Sequence, residues 1–304
     1  MIHGIINIYK EKGFTSHDVV AKLRGITGQK KIGHTGTLDP DAVGVLPVCF
    51  GKATKLCDML TDRDKTYEAV LLLGRTTDTQ DITGETLKEC PADSLTCEQT
   101  AECIEGFVGE YAQIPPMYSA LKVNGKKLYE LAREGKTVER KPRIVTIHQI
   151  RILEMDLPRV TMEVSCSKGT YIRTLCHDIG EQLGTGGCME SLIRTKAGPF
   201  EIRDSLSLLE VEKLKKEGKL SEAVVPIDGM FTEYQSVVLK SESAPLGYNG
   251  NAFFVKDIQT EAMQFGDQEQ VRVYDHRDAF IGIYKYLAKT REFRIVKMFY
   301  SKED

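Results

Sequence analysis

The segment GHTGTLDPDAVGVLP, Gly33 to Pro47, constrains this chain more than any other. It sets three glycines (Gly33, Gly36, Gly44), two prolines and two carboxylates around one histidine. Glycine permits positive φ and a close approach of backbone to a ligand. Pro40 turns Asp39 away from helix toward an extended conformation. The expectation is a stiff loop that holds the Asp39 carboxylate out from the backbone. Such a loop suits a nucleophile or base that works without a cofactor. Read alone, the string also fits an ordinary Gly/Pro turn in which Asp39 bonds its neighbours' N–H groups.

Composition narrows the setting. The 304 residues can hold one large domain and a small one. No apolar run approaches the ~20 residues of a membrane span, and the start MIHGIINIYK reads as a strand rather than a signal peptide. The eight cysteines include no C-x-x-C pair, so they read as reduced residues of a cytoplasmic protein, several of them in the core, and not as a metal site. The net charge of −3 hides an uneven distribution. Residues 1–55 carry a local +4, residues 120–143 a local +5, and residues 78–110 a local −8. Phosphate contacts need local positive potential rather than a basic total. The two basic stretches are therefore candidate RNA-facing surfaces, with solvated faces as the plainer reading.

Local patterns predict the elements. Residues 3–9 alternate as a strand, and Ser16 is placed to cap a helix through Val19, Val20 and Leu23 that ends near Gly25. A short helix is expected over Ala53–Leu60 and a buried strand over Tyr67–Gly74. Thr96 and Gln99 have the spacing of a capping box. Lys126–Arg133 reads as a helix closed by Gly135, and Ile144–Met155 with Val160–Cys166 as a hairpin turning at Leu157-Pro158. Thr170–Leu183 is the clearest helix, with Ile172, Leu175, Cys176, Ile179 and Leu183 at helical spacing and Gly184 at its end. Ser207–Glu217 reads as a charged surface helix. After about Ser236 short alternating strands (Val271–Tyr274, Phe280–Tyr286, Phe293–Phe299) fit a small β-barrel.

Continued through VCFGKATK (Val48 to Lys55), the Gly33–Pro47 string closely resembles the catalytic segment of the TruB-type tRNA pseudouridine synthases. KGFTSHD (Lys12 to Asp18) resembles the family's KPxGxTS segment, and SKGTYIRTL (Ser167 to Leu175) its KGTYIR segment. IPPMYSALKVNGKKLYELAREG (Ile114 to Gly135) agrees as well. The resemblance covers roughly residues 3 to 230, and the end of the chain is similar to a PUA-type RNA-binding domain. It implies an α+β fold with one large mixed, mostly antiparallel sheet flanked by helices, plus a small C-terminal PUA-like β-barrel. It implies a catalytic domain over 1–230 with an RNA-contacting insertion at about 75–143, and an RNA-binding domain over 236–304.

It also implies the chemistry. Pseudouridine formation breaks the N1–C1′ bond of uridine, turns the base and joins C5 to C1′. No redox change, metal or cofactor is needed. The resemblance assigns the required carboxylate to Asp39, acting at C1′ or by removal of the C2′ proton. Either role needs the carboxylate ionised, and a nearby cation is expected to keep its pKa low. Arg173 matches the arginine that pairs with that aspartate, and a guanidinium fits a carboxylate with two parallel bonds. Tyr67 matches the tyrosine beside the target base. His34 matches a histidine that displaces the nucleotide and fills its place. Leu192 matches an apolar residue that covers the uracil. Lys10, Lys126 and Lys127 are expected to contact RNA, and Lys65 and Thr66 to reach backbone or phosphate. Glu11 departs from the family by standing at the usual proline position.

The partner implied is the T-arm of tRNA, with uridine 55 as the target, for a monomer that needs no guide RNA. Two other readings stand beside it. An RNA-folding factor would not need Asp39. A guide-directed subunit of the dyskerin type would carry extended basic termini, whereas this chain ends at SKED.

Overall fold

The computed structural model describes residues 1–123, 125–259 and 263–301. Residues 302–304, on which the absence of a basic tail was read, lie outside the described residues, as does Asn124 of the Ile114–Gly135 segment. The chain divides into two units, Asn7–Val48 with Cys57–Glu217, and Met1–Ile6 with Cys49–Leu56 and Gly218 onward.

A nine-stranded sheet carries the larger unit. Its main path runs Gly4–Lys10, Val43–Phe50, Gly187–Ala197, Lys65–Leu73, Arg159–Cys166, Arg143–Asp156, Gly109–Gln113. Ile32–His34 joins beside Val43–Phe50, and Phe200–Glu201 beside Gly187–Ala197. Gly187–Ala197 pairs parallel with Val43–Phe50 and antiparallel with Lys65–Leu73, and the next three pairs along the path are antiparallel. The sheet is thus mixed and mostly antiparallel. Strand alternation sends Tyr67, Ala69, Leu71 and Leu73 to one face, opposite Val164, Met162 and Val160. The apolar stripe Ile172, Leu175, Cys176, Ile179 of helix Ile172–Gln182 closes that face into one core, which Leu38 and Ala42 also enter.

Several local expectations shift. Thr15, not Ser16, caps the first helix (Ser16–Thr27). Its hydroxyl accepts the Asp18 N–H at 3.1 Å while Asp18 accepts the Thr15 N–H at 2.8 Å. Ser16 is buried instead, and the helix runs on to Gly28, whose φ of +69° ends it. Thr96 and Gln99 form their capping box. The Arg143–Asp156/Arg159–Cys166 hairpin forms in the expected place. The expected helix Lys126–Arg133 is shorter, Leu128–Arg133, because Lys126–Lys127 pairs with Lys122–Val123 in a two-stranded ribbon. Two strands, Val43–Phe50 and Gly187–Ala197, stand where the residue pattern reads as loop or shows no period.

In the other unit a curled five-stranded sheet runs Gln235–Val238, Gln270–Tyr274, Phe280–Leu287, Glu292–Met298, Phe253–Phe254. Its first pair is parallel and the rest antiparallel. Val237, Phe253, Val271, Ile281, Tyr284 and Phe293 fill its concave core. This is the small β domain expected at the C-terminal end. All eight cysteines are free thiols. Among the described residues no helix is long and apolar enough to cross a membrane.

Candidate active site

The loop after Ile32–His34 is fastened at several points, and each fastening explains a residue in the string. The Thr35 N–H donates to the Pro47 carbonyl at 3.1 Å, closing the base of the loop. The Leu38 N–H donates to the buried Ser16 hydroxyl at 2.9 Å. The Lys10 ammonium donates to the Pro40 carbonyl at 3.0 Å, just after Asp39. Gly44 has a φ of +106°, and a Cβ there would lie 2.3 Å from the Arg194 carbonyl, so only glycine fits. Asp39 projects from this clamped loop with its side chain 42% exposed, reachable from outside yet fixed in direction.

Arg173 meets it. It is the second residue of helix Ile172–Gln182, where the helix dipole disfavours a cation. Five oxygens hold it there. Nε pairs with Asp39 Oδ2 at 3.0 Å and Nη2 donates to Asp39 Oδ1 at 3.4 Å. Nη1 donates to the Thr79 carbonyl at 3.1 Å and lies 3.5 Å from Asp81 Oδ2, and Nη2 also donates to the Tyr118 carbonyl at 2.8 Å. Asp81 is itself fixed, accepting from the Thr79 hydroxyl at 2.8 Å and the Thr83 N–H at 3.0 Å. Arg173 is thus a buried guanidinium shared between two carboxylates.

Burial pushes the Asp39 carboxyl above the ordinary aspartate range, more than Arg173 and Lys10 pull it down. The expectation that a cation holds its pKa low is corrected here. The cation is in place, but loss of water around the loop outweighs it.

Tyr67 is the Cα partner of Arg194 across the Lys65–Leu73/Gly187–Ala197 pair, and Ala69 is that of Leu192. Leu192 is buried, and Tyr67 packs against the same apolar cluster, which also takes in Leu38 from the Asp39 loop. Burial raises the Tyr67 phenol pKa, while Arg194 beside it opposes the rise. His34 Nδ1 accepts the Gly36 N–H at 3.3 Å, and its ring meets His17 edge-on at 5.2 Å. Burial, then the neighbouring His17 and Arg194, lower the His34 pKa and favour the neutral ring.

Other residues sit differently from expectation. Lys10 is fully buried, and its ammonium donates to the Glu11, Phe14 and Pro40 carbonyls. That arrangement anchors the loop and leaves no donor for RNA. Burial drops its pKa to about 8. The turn that proline would stiffen is tied by this lysine, which accommodates Glu11. Lys65 is also buried, donating to the Thr61 and Arg63 carbonyls, which removes it from any phosphate contact. Lys126 is exposed and pairs with Glu134 at 3.5 Å. Lys127 and Arg133 flank the Tyr129 ring at 5.3 and 5.4 Å, an aromatic–cation surface of the kind that stacks nucleobases and meets phosphates. The sequence reading missed Asp81, His17 and Arg194. For Asp81 the only local signal was the polar TDTQDITG turn, and for Arg194 its place two residues after Leu192.

Residues 24–172 match the family model described as TruB family pseudouridylate synthase (N terminal domain), and residues 173–232 match that of the tRNA pseudouridylate synthase B C-terminal domain. The chain is 55% identical over 309 residues to the tRNA pseudouridine synthase B of Lachnoclostridium phytofermentans, covering 98% of this chain and 100% of the relative. It is 43% identical over 285 residues to that of Clostridium perfringens (strain SM101), covering 93% and 95%. A chain in a solved Cbf5-Nop10-Gar1 complex is similar in fold, with a TM-score of 0.72 and 26% identity over 99% of this chain and 86% of that one.

Proposed function

The chain belongs to the TruB family of pseudouridine synthases, and on that premise we propose that it isomerises uridine 55 in the T-loop of tRNA. The observation that carries this is the reachable Asp39 carboxylate gripped by both arms of Arg173. A fixed carboxylate at the sugar, an apolar and aromatic wall for the base, and a wedge to open the loop are the three parts the reaction needs.

In this reading the T-loop uridine leaves its stack and His34 fills the gap, which offsets part of the few kcal/mol that extrusion costs. The uracil lies between Tyr67 and Leu192. Asp39, ionised, either adds to C1′ or removes the C2′ proton. The N1–C1′ bond breaks with its electron pair going to N1, the detached uracil turns, and C5 joins C1′ as Asp39 leaves C1′ or the C2′ proton returns; the C5 proton is then lost and N1 takes one up. The product is an isomer, so atoms balance without a co-reactant. Arg173 fixes the direction of Asp39 and supports its charge. Asp39, Tyr67 and Arg173 are the catalytic residues of this proposal, and His34 and Leu192 its base-binding residues.

The domain reading follows: catalysis in 1–230, an RNA-contacting insertion at about 75–143 that includes Lys126 and Lys127, and a PUA-like RNA-binding domain over 236–304. The protein works in the cytoplasm as a monomer, with the T-arm as partner and no guide RNA. The test is carbodiimide mapping of an unmodified tRNA transcript after incubation with the purified protein. A new stop at position 55 is expected. No stop at 55, or a stop only when a guide RNA is added, overturns the proposal.

A further inference from the structure

Gln113 is a buried amide that the proposed reaction leaves unused. It ends the strand Gly109–Gln113 and is 1% exposed. A buried primary amide is costly unless its bonds are made, and here both ends of the amide are engaged by one residue. Oε1 accepts the Tyr171 N–H at 2.8 Å, and Nε2 donates to the Tyr171 carbonyl at 3.0 Å. The partners also fix which end is which, since only oxygen can face the N–H and only nitrogen the carbonyl. The side chain thus grips both backbone groups of Tyr171, much as a neighbouring strand would.

Tyr171 stands at the N-cap of helix Ile172–Gln182, with extended backbone and no cap bond from its own side chain. The first N–H groups of a helix lack helical partners, so groups outside the helix must hold its start. The Tyr171 carbonyl also accepts the Leu175 N–H at 3.1 Å, which closes the first turn. Arg173 lies within that turn. Its guanidinium must bring Nε to Asp39 Oδ2 and Nη2 to Asp39 Oδ1 at once. A small rotation at Tyr171 is enlarged along so long a side chain and spoils the paired fit. Gln113 also leads into the segment that reaches Tyr118, whose carbonyl accepts Arg173 Nη2 at 2.8 Å. The same strand touches the helix again beyond Arg173, where the Tyr111 hydroxyl donates to the Asp178 carboxylate.

We propose that Gln113 is a positioning residue: its amide fixes the backbone of Tyr171, and through it the direction in which Arg173 presents its guanidinium to Asp39. This rests on the reaction proposed above for its consequence in rate, but not for the backbone clip itself.

The test uses the full chain. Gln113→Met keeps the length and removes both bonds. It is expected to lower kcat about tenfold or more with KM for tRNA little changed. In an Arg173→Ala background the same change should cost under about threefold, because its route to the chemistry is already cut. Tyr111→Phe, which removes the other contact between strand and helix, should leave kcat within about threefold of wild type. A kcat for Gln113→Met within about threefold of wild type, a rise in KM alone, or a loss of about threefold or more in the Arg173→Ala background overturns the proposal. So does a loss in Tyr111→Phe as large as that in Gln113→Met, which would mark general loosening. Hydrogen exchange needs no turnover and separates failure of this inference from failure of the proposed reaction. The Tyr171 N–H and the Arg173 Nε–H should exchange about tenfold or more faster in Gln113→Met than in wild type, and unchanged exchange at either overturns the proposal. If that variant does not fold, the wild type alone decides. A Tyr171 N–H protected like the core of the helix supports the clip, and one exchanging like an open loop overturns it.

Discussion

Replacing Arg173 with alanine removes the two bonds to Asp39, the contact to Asp81 and the donors to two carbonyls. A hydrogen bond to a charged group is worth about 1.5–3 kcal/mol. Asp39 is 42% exposed, so water replaces part of what is lost and the lower figure applies. Two such bonds give about 3 kcal/mol of lost positioning, about two powers of ten in rate. A second effect distinguishes this from general damage. Burial already raises the Asp39 pKa and Arg173 opposes it, so the variant's carboxyl should titrate still higher. The ionised form is the active one. The acid limb of kcat should therefore move to higher pH, and part of the lost rate should return on raising the pH. Single-turnover tritium release from 5-labelled uridine in tRNA, measured across neutral pH for wild type, Arg173→Ala and Arg173→Lys, reads both effects. A loss under tenfold, or an acid limb that stays where it is in wild type, would refute this account of the Arg173–Asp39 pair.

His34→Ala should harm a folded T-arm far more than a short unstructured RNA with the same uridine, because unstacking costs a few kcal/mol only in the former; equal loss in kcat/KM on both would remove His34 from base extrusion. Charge reversal at Lys126, Lys127 and Arg133 should weaken tRNA binding and flatten its salt dependence, and an affinity indifferent to salt in wild type would take the Tyr129 surface out of the interface. Lys10 titrates at about 8 in the fold, against 10.5 as its ordinary value. The unfolded chain therefore binds more protons between these pH values, and stability should rise with pH across that window. The gain over Lys10→Met should be about 3 kcal/mol by pH 10.5. A constant difference in urea midpoints between the two proteins would show that Lys10 is not buried charged.

What the sequence revealed was mostly local. The Thr96/Gln99 capping box and the helix from Ile172 are written in residues three or four apart, so they could be read directly. Asp39 was legible because Gly36, Pro40 and Gly44 mark the unusual backbone around it. Gly44 and Pro47 also misled, since they look like loop residues and hid the strand Val43–Phe50. That strand exists because Gly187–Ala197 pairs with it from 150 residues away, as in the Gly44–Arg194 register. Gly187–Ala197 was itself unread, as its alternation includes Arg194. A charged residue in an alternating strand normally points to water. Here it points inward, and the Val45 and Gly36 carbonyls, brought to it by the tertiary fold, make that tolerable. Lys10 misled for the same reason. A lysine near a basic surface reads as a phosphate contact, and three carbonyls, two of them local (Glu11, Phe14) and one from the Asp39 loop (Pro40), change its task.

The central claim is that an ionised Asp39 does the chemistry at the sugar. The direct measurement is tritium release and filter binding for Asp39→Asn beside wild type, on the same tRNA. Asparagine keeps the shape and removes the charge. The account expects turnover to vanish while tRNA affinity stays within a few-fold of wild type. Residual turnover within about tenfold of wild type would contradict it, because the reaction would then proceed without the carboxylate.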